Sequence, residues 1–277
     1  MEKVIFFGNG PLAEYALEVI RPKCDIIFHA RNKEDLEEVK RLKREVPEAH
    51  GVLASFGVII KSDVLELFEP EGILNIHPSL LPKYRGASPI ESAILAGDEE
   101  FGVSIMKLVK AMDAGPIYAQ ATLDGYPLDK DLLYKELAKV GARMALSVLE
   151  TKRDADPASL DEEEKAWLEK IKSPEVQDES KATYCGKFDK SMGVLTPDKD
   201  TAEQTFRKIV AFQGFPKPKY TFYGVNCIIL EAHLSEQGET VVLTIPCSDG
   251  NSVVIDRLQP EGRKPMDAKA FLNGYKK

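Results

Sequence analysis

Short apolar runs alternate with amphipathic segments along the first half of the chain. The apolar runs have the length of buried strands, and the segments between them carry apolar residues at helical spacing. We predict strands at 3–7, 25–28, 51–55, 73–76, 102–109 and 117–122, with helices between them and a long helix over 129–152. This alternation indicates an α/β domain built on a parallel sheet with right-handed crossovers.

The pattern changes in the last third of the chain. Residues 173–192 lack periodicity and contain Pro, Gln, Asp, Ser and Gly, which is typical of an interdomain linker. Short strand-like runs separated by turn residues follow at 219–222, 226–234, 240–246 and 252–258. They predict a small OB-like β-barrel. The expected domains are therefore residues 1–173, a linker over 174–192, and residues 193–277.

Capping boxes predict where three of the helices begin. In each, Ser or Thr is followed by an acidic residue or Gln three positions later. Each of these two side chains accepts a hydrogen bond from the backbone N–H of the other residue at the start of the helix. The boxes begin at Ser88, Ser159 and Thr201. The second predicts a short helix that carries Trp167 and Ile171.

Composition narrows the class of protein. The chain has 277 residues, more than one core usually holds, and its 43% hydrophobic and 30% charged content is typical of a soluble globular protein. We see neither a stretch of about 20 apolar residues for a membrane span nor a signal-peptide core. The net charge of −8 argues against a nonspecific nucleic-acid binder. Four separated cysteines indicate reduced thiols and a cytoplasmic protein, and four scattered histidines predict no metal site.

The turn after the first strand matches the G-x-G-x-x-A pattern of dinucleotide-binding folds, from Gly8 to Ala13. Such a site needs an acidic residue after the second strand to bind ribose, and His29-Ala30-Arg31 supplies none. A tight strand-to-helix turn therefore explains these glycines better. The basic run at residues 40–44 could meet phosphate, although a solvated helix face is the commoner role of such a run.

Candidate chemistry lies at predicted strand ends. Asn75 and His77 stand two residues apart, on the same face at the carboxyl end of a strand, and Asp113 follows a later strand. Asn75 would donate to the oxygen of a tetrahedral intermediate, His77 would stabilise that oxyanion when protonated and move a proton, and Asp113 would orient the imidazole. No Ser or Cys has a nucleophile context, so the attacking group must come from a substrate. Taken singly, His77 could merely bond a backbone carbonyl, and Asp113 could be a turn residue.

Three stretches together resemble the formyltransferase family that uses 10-formyltetrahydrofolate. They are 75–86 (NIHPSLLPKYRG), 102–106 (GVSIM) and 113–116 (DAGP). The linker string 177–184 and the C-terminal strings 258–266 and 271–274 resemble the members that formylate methionyl-tRNA. The likeness therefore covers nearly the whole chain.

This resemblance implies a Rossmann-like catalytic domain and a C-terminal OB-like domain that helps to hold initiator methionyl-tRNA. It implies that the α-amine of that tRNA attacks the formyl carbon. We expect no metal in the reaction, and we expect the protein to be a monomer. The implied catalytic residues are Asn75, His77 and Asp113, the folate-binding loop is Ser79, Leu80, Leu81 and Pro82, and backbone groups of Leu53, Ala54, Ser55 and Phe56 line the pterin pocket. The long basic loop that usually follows the second strand in this branch is missing here.

Two alternatives stay open. An N-formyltransferase that acts on an amino-sugar nucleotide would share the same three catalytic residues and would not need a tRNA-type C-terminal domain. A non-catalytic RNA-binding protein on the same fold would be expected to have lost at least one of the three.

Overall fold

A mixed six-stranded sheet organises the first part of the structure, a computed structural model that describes residues 1–124, 128–151, 162, 174–236 and 242–275. Its strands lie in the order β2-β1-β3-β4-β6-β7. They are β1 (Glu2–Phe7), β2 (Cys24–Ala30), β3 (His50–Leu53), β4 (Ile73–His77), β6 (Glu100–Lys107) and β7 (Ile117–Asp124), while the two-residue strand β5 (Arg85–Gly86) pairs elsewhere.

The prediction of a parallel sheet is correct for four strands and wrong for two. β1, β2, β3 and β4 pair in parallel, but β6 runs antiparallel to β4, and β7 runs antiparallel to β6. The nine residues 108–116 that join β6 to β7 are too few for a crossover with a helix, which a parallel pair needs. A hairpin is the connection that such a length allows.

The α-helices up to residue 151 are α1 (Gly10–Ile20), α2 (Asp35–Glu45), α3 (Ser62–Leu65), α4 (Pro89–Ala96) and α5 (Lys130–Thr151). Burying their apolar stripes stabilises the fold, since removing apolar surface from water is favourable. α1 buries Leu12, Ala16, Leu17 and Ile20, and α5 buries Leu133, Leu137, Met144 and Val148, as the periodicity predicts. The helix predicted to start at Ser159 and carry Trp167 and Ile171 lies outside the described residues.

The basic run on α2 is engaged within the molecule. Lys40 pairs with Glu37 and Asp63, and Arg41 pairs with Glu38 and Glu45. The buried ammonium group of Lys43 donates to backbone carbonyls. Most of the basic side chains in this run therefore already have partners within the molecule, as the interpretation of a solvated helix face predicts.

The chain divides into two compact units. The first contains residues 1–90, 99–127 and 131–186, and the second contains 91–98, 128–130 and 187–277. Residues 174–186, from the stretch that lacks periodicity, therefore group with the first unit. They contain strand β8 (Tyr184–Cys185), which pairs in parallel with β5.

An antiparallel sheet forms the body of the second unit, as an OB-like half-barrel requires. Its strands run in the order β11-β12-β10-β9, and β13 pairs with β12. The elements are α6 (Ala202–Ala211), β9 (Lys219–Phe222), β10 (Val225–Leu234), β11 (Thr244–Pro246), β12 (Ser252–Pro260), β13 (Met266–Asp267) and α7 (Ala268–Tyr275). The capping box predicted at Thr201 is confirmed, because Thr201 and Gln204 exchange hydrogen bonds at the start of α6. Residues 240–241, the first two of the strand predicted over 240–246, lie outside the described part.

Candidate active site

Asn75 and His77 lie on β4, which is an interior strand of the six-stranded sheet. Leu53 of β3 lies beside Asn75 on one side, and Met106 of β6 lies beside it on the other. Asn75 and His77 are each 4% exposed. Because side chains alternate along a strand, both point to the same face at the carboxyl end of β4.

Asp113 meets both of these side chains. The amide nitrogen of Asn75 donates to Asp113 Oδ1 over 3.3 Å, and His77 Nδ1 lies 3.8 Å from Asp113 Oδ2. The backbone N–H of Gly86 donates to the same Oδ2 over 2.8 Å. Asp113 has a φ of 46°, a left-handed conformation that non-glycine residues rarely adopt. The three residues that the sequence singles out thus lie together.

The ring of His77 is oriented by a backbone carbonyl. Its Nε2 lies 3.0 Å from the carbonyl oxygen of Tyr84, which can only accept, so Nε2 carries the hydrogen. Nδ1 is then the nitrogen that faces Asp113, and it gains a hydrogen only when the imidazole is protonated. His77 therefore does bond a backbone carbonyl, and that bond directs its other nitrogen into the polar cluster.

The loop that follows β4 is fastened to β6 by a buried hydroxyl. Ser104 Oγ donates to the carbonyl oxygen of Ser79 over 2.6 Å and accepts from the N–H of Leu81 over 3.1 Å. The side-chain amide of Gln120 donates both to Leu81 O and to Ser104 Oγ. These bonds place Ser79, Leu80, Leu81 and Pro82 directly beyond His77. Sequence reasoning missed Ser104 and Gln120, although a Ser within an apolar strand is a signal of such a role.

The segment that follows β3 presents backbone groups beside β4. Ala54 is tied back to β1 by a hydrogen bond to Phe7, and Ser55 adopts a φ of 52°. Within the described residues, the N–H groups of Ser55 and Phe56 make no hydrogen bond, while the Phe56 ring packs against Phe7. Backbone donors suit the polar edge of a flat heterocycle. That residues 53–56 line a pterin pocket stays a prediction.

A buried guanidinium lies behind the site. Arg85 is 1% exposed, and it donates to Gln177 and Glu179 and to the hydroxyl of Tyr184. The bond with Arg85 lowers the pKa of the Glu179 carboxyl and raises that of the guanidinium, so the pair stays charged. In the sequence, Arg85 and Gln177 stand out only as members of the family-like strings 75–86 and 177–184.

Gly86 is required by the close approach of β8. A Cβ built on Gly86, which has a φ of 121°, would meet the carbonyl oxygen of Cys185 at 2.1 Å. Any side chain at this position would push β8 away and displace the Gly86 N–H, which donates to the Asp113 carboxylate. The glycine thus follows from packing at the site.

The first turn of the chain is shaped by packing as well. A Cβ on Gly8 would meet the carbonyl oxygen of Ala54 at 2.1 Å, and His29 Nε2 bonds Gly8 O over 2.9 Å. These contacts agree with the interpretation of a tight turn.

Among the described residues, no group of three His, Cys, Asp or Glu side chains could hold a metal ion, and no helix has the length and apolar character needed to cross a bilayer.

Comparison with known proteins adds to this geometry. The family model described as "Formyl transferase" matches residues 11–149, and "Formyl transferase, C-terminal domain" matches residues 189–276. A methionyl-tRNA formyltransferase of Dehalococcoides mccartyi is 35% identical over 81% of this chain and 70% of its own length. Those of Dictyoglomus turgidum and Wolbachia pipientis are 34% and 31% identical, over 88% and 96% of this chain and 76% and 83% of theirs.

Solved structures share the fold. HypX from Aquifex aeolicus, in complex with tetrahydrofolic acid, superposes with a TM-score of 0.72 at 18% identity, over 100% of this chain. This chain corresponds to 48% of HypX, or about half its length. Methionyl-tRNA formyltransferase from Clostridium thermocellum has a TM-score of 0.65 at 19% identity, over 94% of this chain and 98% of its own. The sugar 3N-formyl transferase WlaRD has a TM-score of 0.63 at 18% identity, over 95% and 99% of the two chains.

The Rossmann-like first unit and the small antiparallel second unit are thus the pair of domains that these enzymes combine. Two family models together account for most of the sequence, and relatives more than 30% identical cover at least two thirds of both chains. The chain belongs to the formyltransferase family.

Proposed function

We propose that this chain transfers the formyl group of 10-formyltetrahydrofolate to the free α-amine of initiator methionyl-tRNA. The observation that supports it most is the convergence of Asn75, His77 and Asp113, with the Asn75 amide nitrogen and His77 Nδ1 lying 3.3 and 3.8 Å from one carboxylate. Relatives 31–35% identical to this chain are named methionyl-tRNA formyltransferases. We expect 10-formyltetrahydrofolate to bind beside this cluster. It would lie between the backbone N–H groups of Ser55 and Phe56 and the loop of residues 79–82.

In this proposal, the amine attacks the formyl carbon, and the carbonyl electron pair moves onto the formyl oxygen. The side-chain amide of Asn75 and protonated His77 stabilise that oxyanion, because preorganised donors act strongly in a buried site. The amine loses one proton, for which the Asp113 carboxylate is the nearby acceptor. When the tetrahedral intermediate collapses, the bond to N10 breaks and that nitrogen gains a proton, so that tetrahydrofolate leaves.

The four cysteines of the chain are free thiols, which fits a reducing compartment, and we place the reaction in the cytoplasm on that basis. The intact set of Asn75, His77 and Asp113 argues against a silent RNA-binding protein. The sugar 3N-formyl transferase WlaRD also covers 95% of this chain, but at 18% identity, whereas relatives 31–35% identical are named methionyl-tRNA formyltransferases. These names favour tRNA over an amino-sugar nucleotide as acceptor.

A panel of acceptors tests the proposal. The enzyme is mixed with 10-formyltetrahydrofolate and with methionyl-tRNA, an amino-sugar nucleotide or water alone, and the formylated product is identified by mass. We expect formylmethionyl-tRNA as the main product. Formylation of the sugar nucleotide with methionyl-tRNA unchanged would overturn the choice of acceptor, and formate as the main product in all three mixtures would overturn the transfer itself.

A further inference from the structure

Two residues that contact or face the His77 imidazole adopt a backbone conformation that side chains disfavour. Tyr84 has a φ of 58°, and Asp113 has a φ of 46°. Tyr84 supplies the carbonyl oxygen that fixes the His77 ring, and Asp113 supplies the carboxylate that faces Asn75 and His77. Left-handed conformations of this kind persist only where surrounding contacts determine them. Those contacts are therefore part of how the site is built.

Both residues are held by one stretch, which we call the positioning segment (residues 175–185). Thr183 Oγ1 accepts the N–H of Tyr84 over 2.8 Å, and the carbonyl oxygen of Thr183 accepts the N–H of Arg85 over 2.9 Å. The N–H of Thr183 in turn donates to Pro82 O over 3.1 Å. The path from Thr183 to the His77 imidazole passes through one residue, Tyr84.

Gln177 holds the other residue. Its amide nitrogen donates to the carbonyl oxygens of Asp113 and Gly115, over 2.8 and 2.7 Å. Its oxygen accepts from two nitrogens of Arg85, over 3.0 and 2.8 Å. Gln177 is 6% exposed, so these four bonds form in a protected place. The orientation of the amide is fixed, because only its NH₂ can face the carbonyls and only its oxygen can face the guanidinium.

The segment is also attached at its first residue. Ile117 and Glu175 exchange two backbone hydrogen bonds of 2.8 Å, directly after the loop that contains Asp113 and Gly115. Farther along, β8 pairs with β5, whose Gly86 donates to the Asp113 carboxylate. The positioning segment thus contacts the loop that carries Asp113 and the loop that orients His77.

We propose that Gln177 and Thr183 are positioning residues for formyl transfer, Gln177 acting through Asp113 and Thr183 through Tyr84 and His77. This inference rests on the proposed function, since it assumes that these residues carry out the chemistry. A displacement of about 1 Å in a catalytic group can cost about 100-fold in rate. Losing either contact is therefore expected to lower kcat more than it weakens the binding of either substrate.

The matched variants separate positioning from folding. Gln177→Glu keeps an acceptor for Arg85 and replaces the NH₂ that serves Asp113 and Gly115, and we expect kcat to fall about 10- to 100-fold. Thr183→Val removes the hydroxyl with little change in shape, for a fall of about tenfold, whereas Thr183→Ser should restore kcat. KM for both substrates should change less than kcat. Lys181→Gln, on the same segment, alters a side chain that pairs with Asp178 at the surface and is the control.

A second readout does not depend on turnover. In ¹⁵N spectra of histidine side chains, assigned with His77→Gln, the neutral His77 ring should be the Nε2–H tautomer in the unaltered protein and in Lys181→Gln. In Thr183→Val it should become a mixture of tautomers. A Thr183→Val ring that stays wholly Nε2–H, or kcat within twofold of normal in both Gln177→Glu and Thr183→Val, would overturn the inference. If the unaltered enzyme formylates nothing, the proposed function fails, while the tautomer still tests the positioning.

Discussion

At the scale of single residues, the site consists of an amide and an imidazole on one strand that face a carboxylate from a loop. Asn75 and His77 are together because β4 is a strand, so the alternation of side chains already predicted their shared face. Asp113 reaches them only through tertiary structure, which brings the loop after β6 to the same edge of the sheet. The contribution of Gln177 could not be predicted, because it depends on a buried contact with Arg85 far away in the sequence.

The amide of Asn75 gives the first prediction. Asn75→Ala removes a preorganised donor from the position of the oxyanion, and we expect kcat to fall about 10²- to 10³-fold. KM for 10-formyltetrahydrofolate should change little, since the lost bond strengthens only as charge develops. Steady-state kinetics measure both quantities, with the unfolding midpoint as the check that the variant is folded. A kcat within about threefold of normal would show that Asn75 is not an oxyanion donor.

At the scale of elements, helix α6 shows how a local signal fixes one helix start. Thr201 Oγ1 accepts the N–H of Gln204, and the Gln204 side chain accepts the N–H of Thr201. We predict that Thr201→Ala lowers the free energy of unfolding of the second unit by about 1 kcal/mol. Denaturant titration measures it, and Thr201→Ser, which keeps the hydroxyl, should lose much less. Equal losses in the two variants would mean that the cap does not stabilise the unit.

The direction in which strands pair could not be predicted from the sequence pattern. The apolar runs identified β1, β3 and β4 correctly, but run length does not reveal direction, and the antiparallel pairing of β6 with β4 and β7 follows from connections in three dimensions. β5 and β8 are two residues each, too short to show any period. That small pair nevertheless joins the loop after β4 to residues 184–185, which the sequence pattern assigned to a linker.

At the scale of the whole molecule, the half-buried His29 makes the stability of the fold depend on pH. His29 is half-buried in the first unit, with Nε2 bonded to Gly8 O and with Nδ1 buried and without a hydrogen-bond partner among the described residues. Burial lowers the pKa of His29 below its value in the unfolded chain. The unfolded state therefore binds this proton more readily, and stability falls as the pH drops through about 6.5 and below.

We predict that His29→Gln, which can still donate to Gly8 O, removes this contribution. The loss of stability between about pH 7.5 and about pH 5.5 should be smaller in the variant than in the unaltered protein, because glutamine does not titrate. Unfolding midpoints at the two pH values measure it. His233→Gln, in the second unit, controls for the loss of an imidazole elsewhere. Identical pH dependence in His29→Gln and the unaltered protein would refute the assignment.

The whole molecule has a buried cluster of Asn75, His77 and Asp113, and its residues 189–276 match the C-terminal domain of formyl transferases. Whether this cluster moves a formyl group from a folate to an amine can be measured in a single turnover. The ¹⁴C-formyl group of 10-formyltetrahydrofolate is followed onto methionyl-tRNA, side by side for the unaltered enzyme and Asp113→Asn. The substituted carboxamide retains an acceptor oxygen for the N–H of Gly86 and loses the negative charge. We predict labelled formylmethionyl-tRNA from the unaltered enzyme and a rate at least about 100-fold lower from the variant; equal rates, or no labelled product from the unaltered enzyme, would show that the cluster does not carry out this transfer.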